Sequence, residues 1–301
     1  VKAQREGLPQ SLLHATYFTD PLCSWSWAFE PQWRRLQMEF APVLHAETRM
    51  GGLLATWDNY TDSVNDVSRP VQMGPLWFQM RALSGMPCVE RIWYEDPPAS
   101  SYPACLAVKA AGLQGEAAAD AMLRRLREAV MLERRNIARR EVLLDEARSL
   151  LHAEEAAGFV YEAFADAIDG AAALEALRDD IDVTRAFEVK RFPSLLLEDL
   201  RSGRRVTLTG YRPWSAVREV LQRLAPEVLP APIEANAATY LARWRRATAR
   251  EFAEVLSPQG VTAEQMQPAT AAARAALEAI VQQGQAERHG EIYVWRNIEK
   301  T

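Results

Sequence analysis

A run rich in β-formers, Leu12 to Thr19, stops at Asp20-Pro21 and gives way within three residues to a helical period that opens beside Cys23. From Ser24 to about Phe40 the apolar residues Trp25, Phe29, Trp33, Leu36 and Phe40 recur at three- and four-residue steps, the period of a helix with one buried face. Pro42 ends that helix, and Val43 to Met50 alternates again before Gly51-Gly52. A strand, a crossover helix and a second strand imply a parallel pair, because the connection is too long for a hairpin and packs back onto the sheet in one hand.

The pattern then turns helical for more than a hundred residues. Pro103 suits the start of a helix over Ala104 to Gln114, and Asp120 reads as the N-cap of one over Ala121 to Asn136. Further helical periods cover Arg140 to His152, Phe159 to Ile168 and Ala171 to Val189, while Gly74-Pro75-Leu76-Trp77 and Asp96-Pro97-Pro98 look like loops. Strand character returns at Ser194 to Leu200 and, across the turn Arg201-Ser202-Gly203-Arg204, at Arg205 to Thr209. A closing helix follows from Trp214 to Leu224. The proline-rich stretch Pro226 to Pro232 reads as a linker to a small module with helices over Ala235 to Leu256 and Ala269 to Gln283, a short helical piece at Ala263 to Met266, and a short strand at Glu291 to Arg296.

Bulk properties limit the function classes. A 49% hydrophobic content over 301 residues supports sizeable cores, and a formal charge of -5 argues against a chain-wide grip on nucleic acid or anionic lipid. No apolar run is long enough to span a bilayer, and the opening seven residues carry no apolar stretch of the secretory kind. Three cysteines, Cys23, Cys88 and Cys105, make a poor disulfide framework, which favours the reducing cytoplasm. His14, His45, His152 and His289 lie far apart and make no metal-ligand spacing, so no metal site is assigned.

The chemistry concentrates at Cys23. A thiol at the mouth of a helix sits against unpaired amides and the positive end of the helix dipole, so Cys23 is expected to be more acidic than a free cysteine. The run Asp20-Pro21-Leu22-Cys23-Ser24-Trp25-Ser26-Trp27 resembles the Asp-Pro-x-Cys-x-x-Cys-Trp motif of the DsbA-like branch of the thioredoxin superfamily, and more narrowly its FrnE-type dithiol-disulfide isomerases. Two further stretches carry the resemblance, over roughly residues 10 to 225. Arg191-Phe192-Pro193-Ser194-Leu195 stands where that family places a cis-proline facing the cysteine, and Ser101 to Ala111 is similar to the opening of its inserted helical domain.

The resemblance implies an α/β thioredoxin fold, β-α-β then β-β-α, interrupted by an all-helical insertion and followed by a mainly helical module. The boundaries expected are 8–55 and 181–225 for the two halves of the thioredoxin fold, 56–180 for the insertion and 233–301 for the C-terminal module, whose last elements faintly resemble a winged helix. It also implies Cys23, Ser26 and Pro193 as catalytic residues, with Ser24, Trp25, Trp27 and Phe192 contacting substrate, the Phe192 backbone being open to an extended segment. Asp20 is a candidate proton relay or a plain turn former, and Cys105 a candidate resolving thiol or a small buried residue.

Ser26 departs from the family. A serine cannot form the internal disulfide that stores oxidising equivalents or resolves a mixed disulfide. Three functions stay open: a monothiol thiol-disulfide oxidoreductase or isomerase acting on protein disulfides, a glutathione-dependent transferase or isomerase of the kappa-class kind, and a non-enzymatic adaptor. No cofactor is required, glutathione is a candidate co-substrate, nucleic acid and membrane are not expected as partners, and a dimer stays open.

Overall fold

The computed structural model describes residues 12–58, 60–151 and 156–296. The readings that fall on residues 1–11, on His152 and on residues 297–301 lie outside the described residues.

Strand β1 (Leu13–Thr19) runs into helices α1 (Ser24–Ala28) and α2 (Glu30–Glu39), then strand β2 (Leu44–Met50). The single helix expected from Ser24 to Phe40 is broken at Phe29, because Pro31 has no amide to offer the Trp27 carbonyl one turn earlier. β2 pairs with β1 in parallel, from Leu13 opposite Leu44 to Thr19 opposite Met50.

Helices α3 (Met73–Ser84), α4 (Ile92–Glu95), α5 (Tyr102–Gly112), α6 (Glu116–Met131), α7 (Arg140–Leu150), α8 (Tyr161–Ala167) and α9 (Ala171–Ala186) form the insertion. Two expectations are corrected there. The Gly74-Pro75 stretch expected as a loop is the first turn of α3, where a missing amide costs nothing. Asp120 is not an N-cap: Gly115, at φ 125°, precedes α6 and places Asp120 one turn inside it.

Strands β3 (Ser194–Asp199) and β4 (Arg205–Thr209) and helix α10 (Trp214–Leu224) complete a sheet of order β2-β1-β3-β4, with β3 antiparallel to both neighbours. Trp214, Val217, Leu221 and Leu224 recur at helical spacing and are all buried, which docks α10 on the sheet face already covered by α2. The fold is thus thioredoxin-like, with a mixed sheet and a helical insertion.

Beyond it lie α11 (Ala237–Trp244), β5 (Arg246–Thr248), α12 (Ala249–Leu256), α13 (Met266–Gln282), β6 (Ala286–His289) and β7 (Ile292–Trp295). The helix expected over Ala235 to Leu256 is split by β5, which pairs with β7 in an antiparallel sheet of order β5-β7-β6. Met266 belongs to α13 rather than to a separate short helix. This module has its own core around Tyr240, Phe252, Leu277 and Tyr293.

Charged groups join the three parts. Arg124 of α6 meets Glu251 of α12 at 2.6 Å and Glu128 at 2.7 Å, and Arg34 of α2 reaches the same Glu251 at 3.2 Å. Arg35 donates to the carbonyls of Glu254, Ser257 and Pro258. These groups are buried, so each is held by its partners rather than by water.

Candidate active site

Cys23 is the N-cap of α1, and its sulfur accepts the Ser26 amide at 3.4 Å. The Phe192–Pro193 peptide is cis, and the Cys23 thiol donates to the Phe192 carbonyl at 3.5 Å, so the loop before β3 closes over the sulfur across the two halves of the sheet. Cys23, Ser26, Phe192 and Pro193 are therefore brought together. Phe192 also fixes a small neighbour: its ring occupies the space a β-carbon at Gly51 would need, within 1.9 Å of that position.

The expected acidity of Cys23 is overturned. Only 5% of the residue is exposed. Burial pushes the thiol above its ordinary value, and Asp20 adds to that; Ser26 and Arg127 pull down without prevailing. The helix at its back is one short segment of five residues. The dipole of so short a helix, the Ser26 hydroxyl and the Ser26 amide do not repay the cost of taking a thiolate out of water. The Ser26 hydroxyl, fully buried at the resolving position, favours the thiolate together with the Ser26 amide but does not offset burial.

Asp20 is fully buried and serves as a pin. Its carboxylate accepts from the Leu22 amide at 2.8 Å, the Leu53 amide at 2.7 Å, the Ser101 hydroxyl at 2.7 Å and the Cys105 thiol at 3.3 Å. It thereby ties the strand-to-helix turn to the loop after β2 and to the start of α5. Burial pushes its carboxyl above the ordinary carboxylate range in spite of these donors. Cys105 is inaccessible, and burial together with the adjacent Asp20 pushes its thiol well up, so its proton stays on sulfur.

The aromatic residues divide. Trp27, expected to touch substrate, is fully buried and donates its indole N–H to the Pro87 carbonyl at 2.8 Å, a core role that corrects the expectation. Ser24 is buried as well. Trp25 stays partly open beside Tyr211, with ring centroids 5.8 Å apart, and Trp57 packs edge-on against Tyr60 at 5.1 Å. Tyr60 lies near enough to Cys23 for the two to affect each other's ionisation.

Arg127 is the main residue the motif reading missed. Buried on α6, it pairs with Glu30 and with the Thr19 hydroxyl, lies over the Tyr17 ring, and is the cation closest in effect to Cys23. A signal existed in the arginines at 124, 125 and 127 of one amphipathic helix, too many for one solvated stripe. The exposed Arg134 to Arg140 cluster is occupied by carboxylates, Arg134 by Glu95, Arg135 by Asp145, Arg139 by Asp96 and Arg140 by Asp169. Among the described residues no group of His, Cys, Asp and Glu is arranged to hold a metal, and no helix is long and apolar enough to cross a membrane.

The family model for thioredoxin matches residues 17–219. The chain is similar to the ClpXP adapter protein SpxH of Halalkalibacterium halodurans, 30% identical over 68% of this chain and 65% of that one. It is likewise similar to SpxH of Shouchella clausii, 30% identical over 72% of this chain and 69% of that one. The match thus spans just under two thirds of the first of these relatives. Among solved structures, the cytosolic disulfide reductase DsbM of Pseudomonas aeruginosa is 26% identical over 70% of this chain and 100% of its own, with a TM-score of 0.52, and has also been solved with GSH. With the sheet order, the helical insertion and the cysteine-to-proline juxtaposition already in place, these matches assign the chain to the thioredoxin family, in its DsbA-like branch.

Proposed function

We propose that this protein is a cytoplasmic protein-binding adapter on a DsbA-like scaffold, in which Cys23 is retained as a buried thiol rather than used as a nucleophile. The carrying observation is the state of that thiol: 5% exposed, driven toward the protonated form by burial, and followed by Ser26 where a resolving thiol would stand. A protonated thiol does not attack disulfides. The relatives named ClpXP adapter protein support this reading, which has the chain bind a protein client and present it to a ClpXP-like protease.

The C-terminal module supports it too. The order α11-β5-α12-α13-β6-β7 reads as winged-helix-like, but the exposed positions of α13 are Gln267, Pro268, Ala271, Ala272, Ala275, Ala279 and Gln282, and its one arginine, Arg274, pairs with Glu291 at 3.0 Å. A helix so poor in cations suits contact with protein rather than with phosphates.

The test compares the protein with Cys23→Ala in a reconstituted ClpXP degradation assay on a client that co-purifies with it. Equal acceleration is the expected result. Loss of acceleration in the variant refutes the adapter reading.

A second reading has a specific observation behind it, the Cys23 sulfur held against the carbonyl before Pro193. In it Cys23, once exposed, takes a substrate disulfide into a mixed disulfide, releasing one thiolate, and glutathione resolves the link. In this reading Trp25 and the Phe192 backbone are the groups that contact the substrate. Glutathione-dependent reduction of a mixed disulfide, abolished by Cys23→Ala, would favour this reading over the first.

A further inference from the structure

β4 closes the sheet at one edge, and among the described residues no strand pairs with its outer side. In an antiparallel strand the N–H and C=O of one residue point to the same side, and that side alternates along the chain. The Arg204 carbonyl accepts from the Asp199 amide and the Gly210 amide donates to the Pro193 carbonyl, so the even-numbered residues face β3. Arg205, Thr207 and Thr209 therefore direct their backbone groups outward. Among the described residues no hydrogen bond takes up any of those three amides.

Exposed edges are normally blunted by lysine or proline, bent away by a bulge, or covered. β4 uses none of these devices. Its sequence Arg-Val-Thr-Leu-Thr holds no lysine or proline, and it pairs with β3 residue for residue, from Arg205 opposite Glu198 to Thr209 opposite Ser194. Arg205, Val206, Thr207 and Thr209 are exposed, and the β-branched Val206, Thr207 and Thr209 suit a pleated strand. Val206, 38% exposed, lies on the same face as Leu208, which packs into the core under α10. It leaves an apolar step beside the edge for one side chain of an added strand.

The charge around this edge selects its occupant. From Leu200 to Trp214 the chain carries Arg201, Arg204, Arg205 and Arg212 and no carboxylate. Arg201 and Arg205 are answered by Glu227 and Glu198, at 2.9 Å and 3.1 Å. At the other end of the strand Arg191 and Arg212 are exposed, and among the described residues neither meets a carboxylate; Arg212 reaches the Tyr211 carbonyl at 3.2 Å. The Gly210 to Pro193 hydrogen bond brings their two segments to the same end of the edge. A second copy of the chain is a poor occupant. Antiparallel pairing about a twofold axis at Thr207 would set the Arg201 to Arg205 end of each copy beside Arg212 of the other, gathering like charges at both ends. A segment bearing carboxylates meets the same cations favourably.

We propose that the outer edge of β4 receives an extended acidic segment of a partner protein, added as a strand through the backbone of Arg205, Thr207 and Thr209, with a carboxylate reaching Arg191 and Arg212. Main-chain pairing supplies the affinity and the cationic end of the edge the preference. The site goes beyond the adapter reading and does not use Cys23.

The test is amide hydrogen exchange and chemical shift in the full chain, titrated with two randomised hexapeptide pools, one with a fixed glutamate pair and one with a fixed lysine pair. Without peptide, Thr207 and Thr209 exchange faster than Val206 and Leu208. The glutamate pool protects Thr207 and Thr209, the lysine pool does so about tenfold more weakly, and the double variant Arg191→Glu with Arg212→Glu reverses the preference. Thr207→Pro removes one outward amide without touching the β3 ladder and abolishes the protection; should it unfold, the double charge reversal still decides. No protection, equal protection by both pools, or an unchanged preference in the double variant overturns the proposal. Concentration-dependent protection without peptide overturns it in favour of a second copy of the chain. Cys23→Ala retains the binding, and intact client delivery without peptide binding overturns the edge proposal while leaving the adapter reading in place.

Discussion

The most discriminating perturbation is a pH titration of Cys23 alkylation. A thiol at its ordinary value of 9.0 is about 1% thiolate at pH 7, and each unit of upward displacement removes a further factor of ten. Burial drives Cys23 upward from that value, and the 5% exposure of the residue restricts access as well. Both effects act in the same direction, so iodoacetamide labelling at pH 7, read at the Cys23 peptide by mass spectrometry, is expected to be at least about tenfold slower than labelling of N-acetylcysteine. The logarithm of the rate should climb with unit slope past pH 9 with no plateau. A group whose folded value lies above its unfolded one stabilises the fold fully below the unfolded value and loses that contribution as pH rises, so the fold itself should weaken above pH 9. A plateau that begins below pH 8 would refute the reasoning, because it would mean that amide and dipole stabilisation had beaten burial.

Three other perturbations probe neighbouring features. Ser26→Cys restores a thiol one turn after Cys23, and mild oxidation should then produce an internal disulfide detectable as a loss of two hydrogens; absence of the link would place the two β-carbons outside disulfide range. Gly51→Ala drives a methyl group into the Phe192 ring and should destabilise the protein by about 1–3 kcal/mol in urea unfolding, with a wild-type midpoint counting against the close approach. Burial raises Glu128, but Arg246, Arg124 and Arg125 outweigh it and hold the carboxyl at about 2 against an ordinary 4.5; the corresponding stability, about 3 kcal/mol, is complete above pH 4.5 and lost as pH falls toward 2, so acid should loosen the C-terminal module first, as protease cleavage in the 226–235 linker would report.

The sequence was most legible where a local signal decided the outcome. The alternation of β1 and β2, the amphipathic period of α10 and the Gly203 turn between β3 and β4, at φ 70°, each depend on residues close in the chain. It was least legible where the outcome depends on what a distant element brings. The N-terminal position of Cys23 on α1 was readable from Asp20-Pro21; the burial that reverses its acidity comes from the Phe192 loop and the insertion, which no local pattern encodes. Trp27 and Asp20 illustrate the same divide. Both belong to the motif, yet one indole N–H goes to Pro87 and one carboxylate to Ser101, about sixty and eighty residues away. The break at Phe29 was different in kind: Pro31 was visible, and the helical period on both sides of it concealed a rule that holds for any proline inside a helix.

The buried charges between the three parts fix how those parts dock. A buried ion pair adds little net stability, since desolvation offsets the attraction, but removing one partner leaves a stranded charge that costs about 3–5 kcal/mol. Such a junction therefore tolerates one docking geometry and penalises neighbouring ones. Glu251 receives Arg34 from the thioredoxin half and Arg124 from the insertion, so a single carboxylate fixes α12 against both. A cavity of about 250 Å³ takes walls from those same three parts, with Arg34, Arg124 and Trp244 among them. Its shape is consequently set by the junction rather than by any one domain. A groove of that kind can be rigid without a large apolar interface behind it.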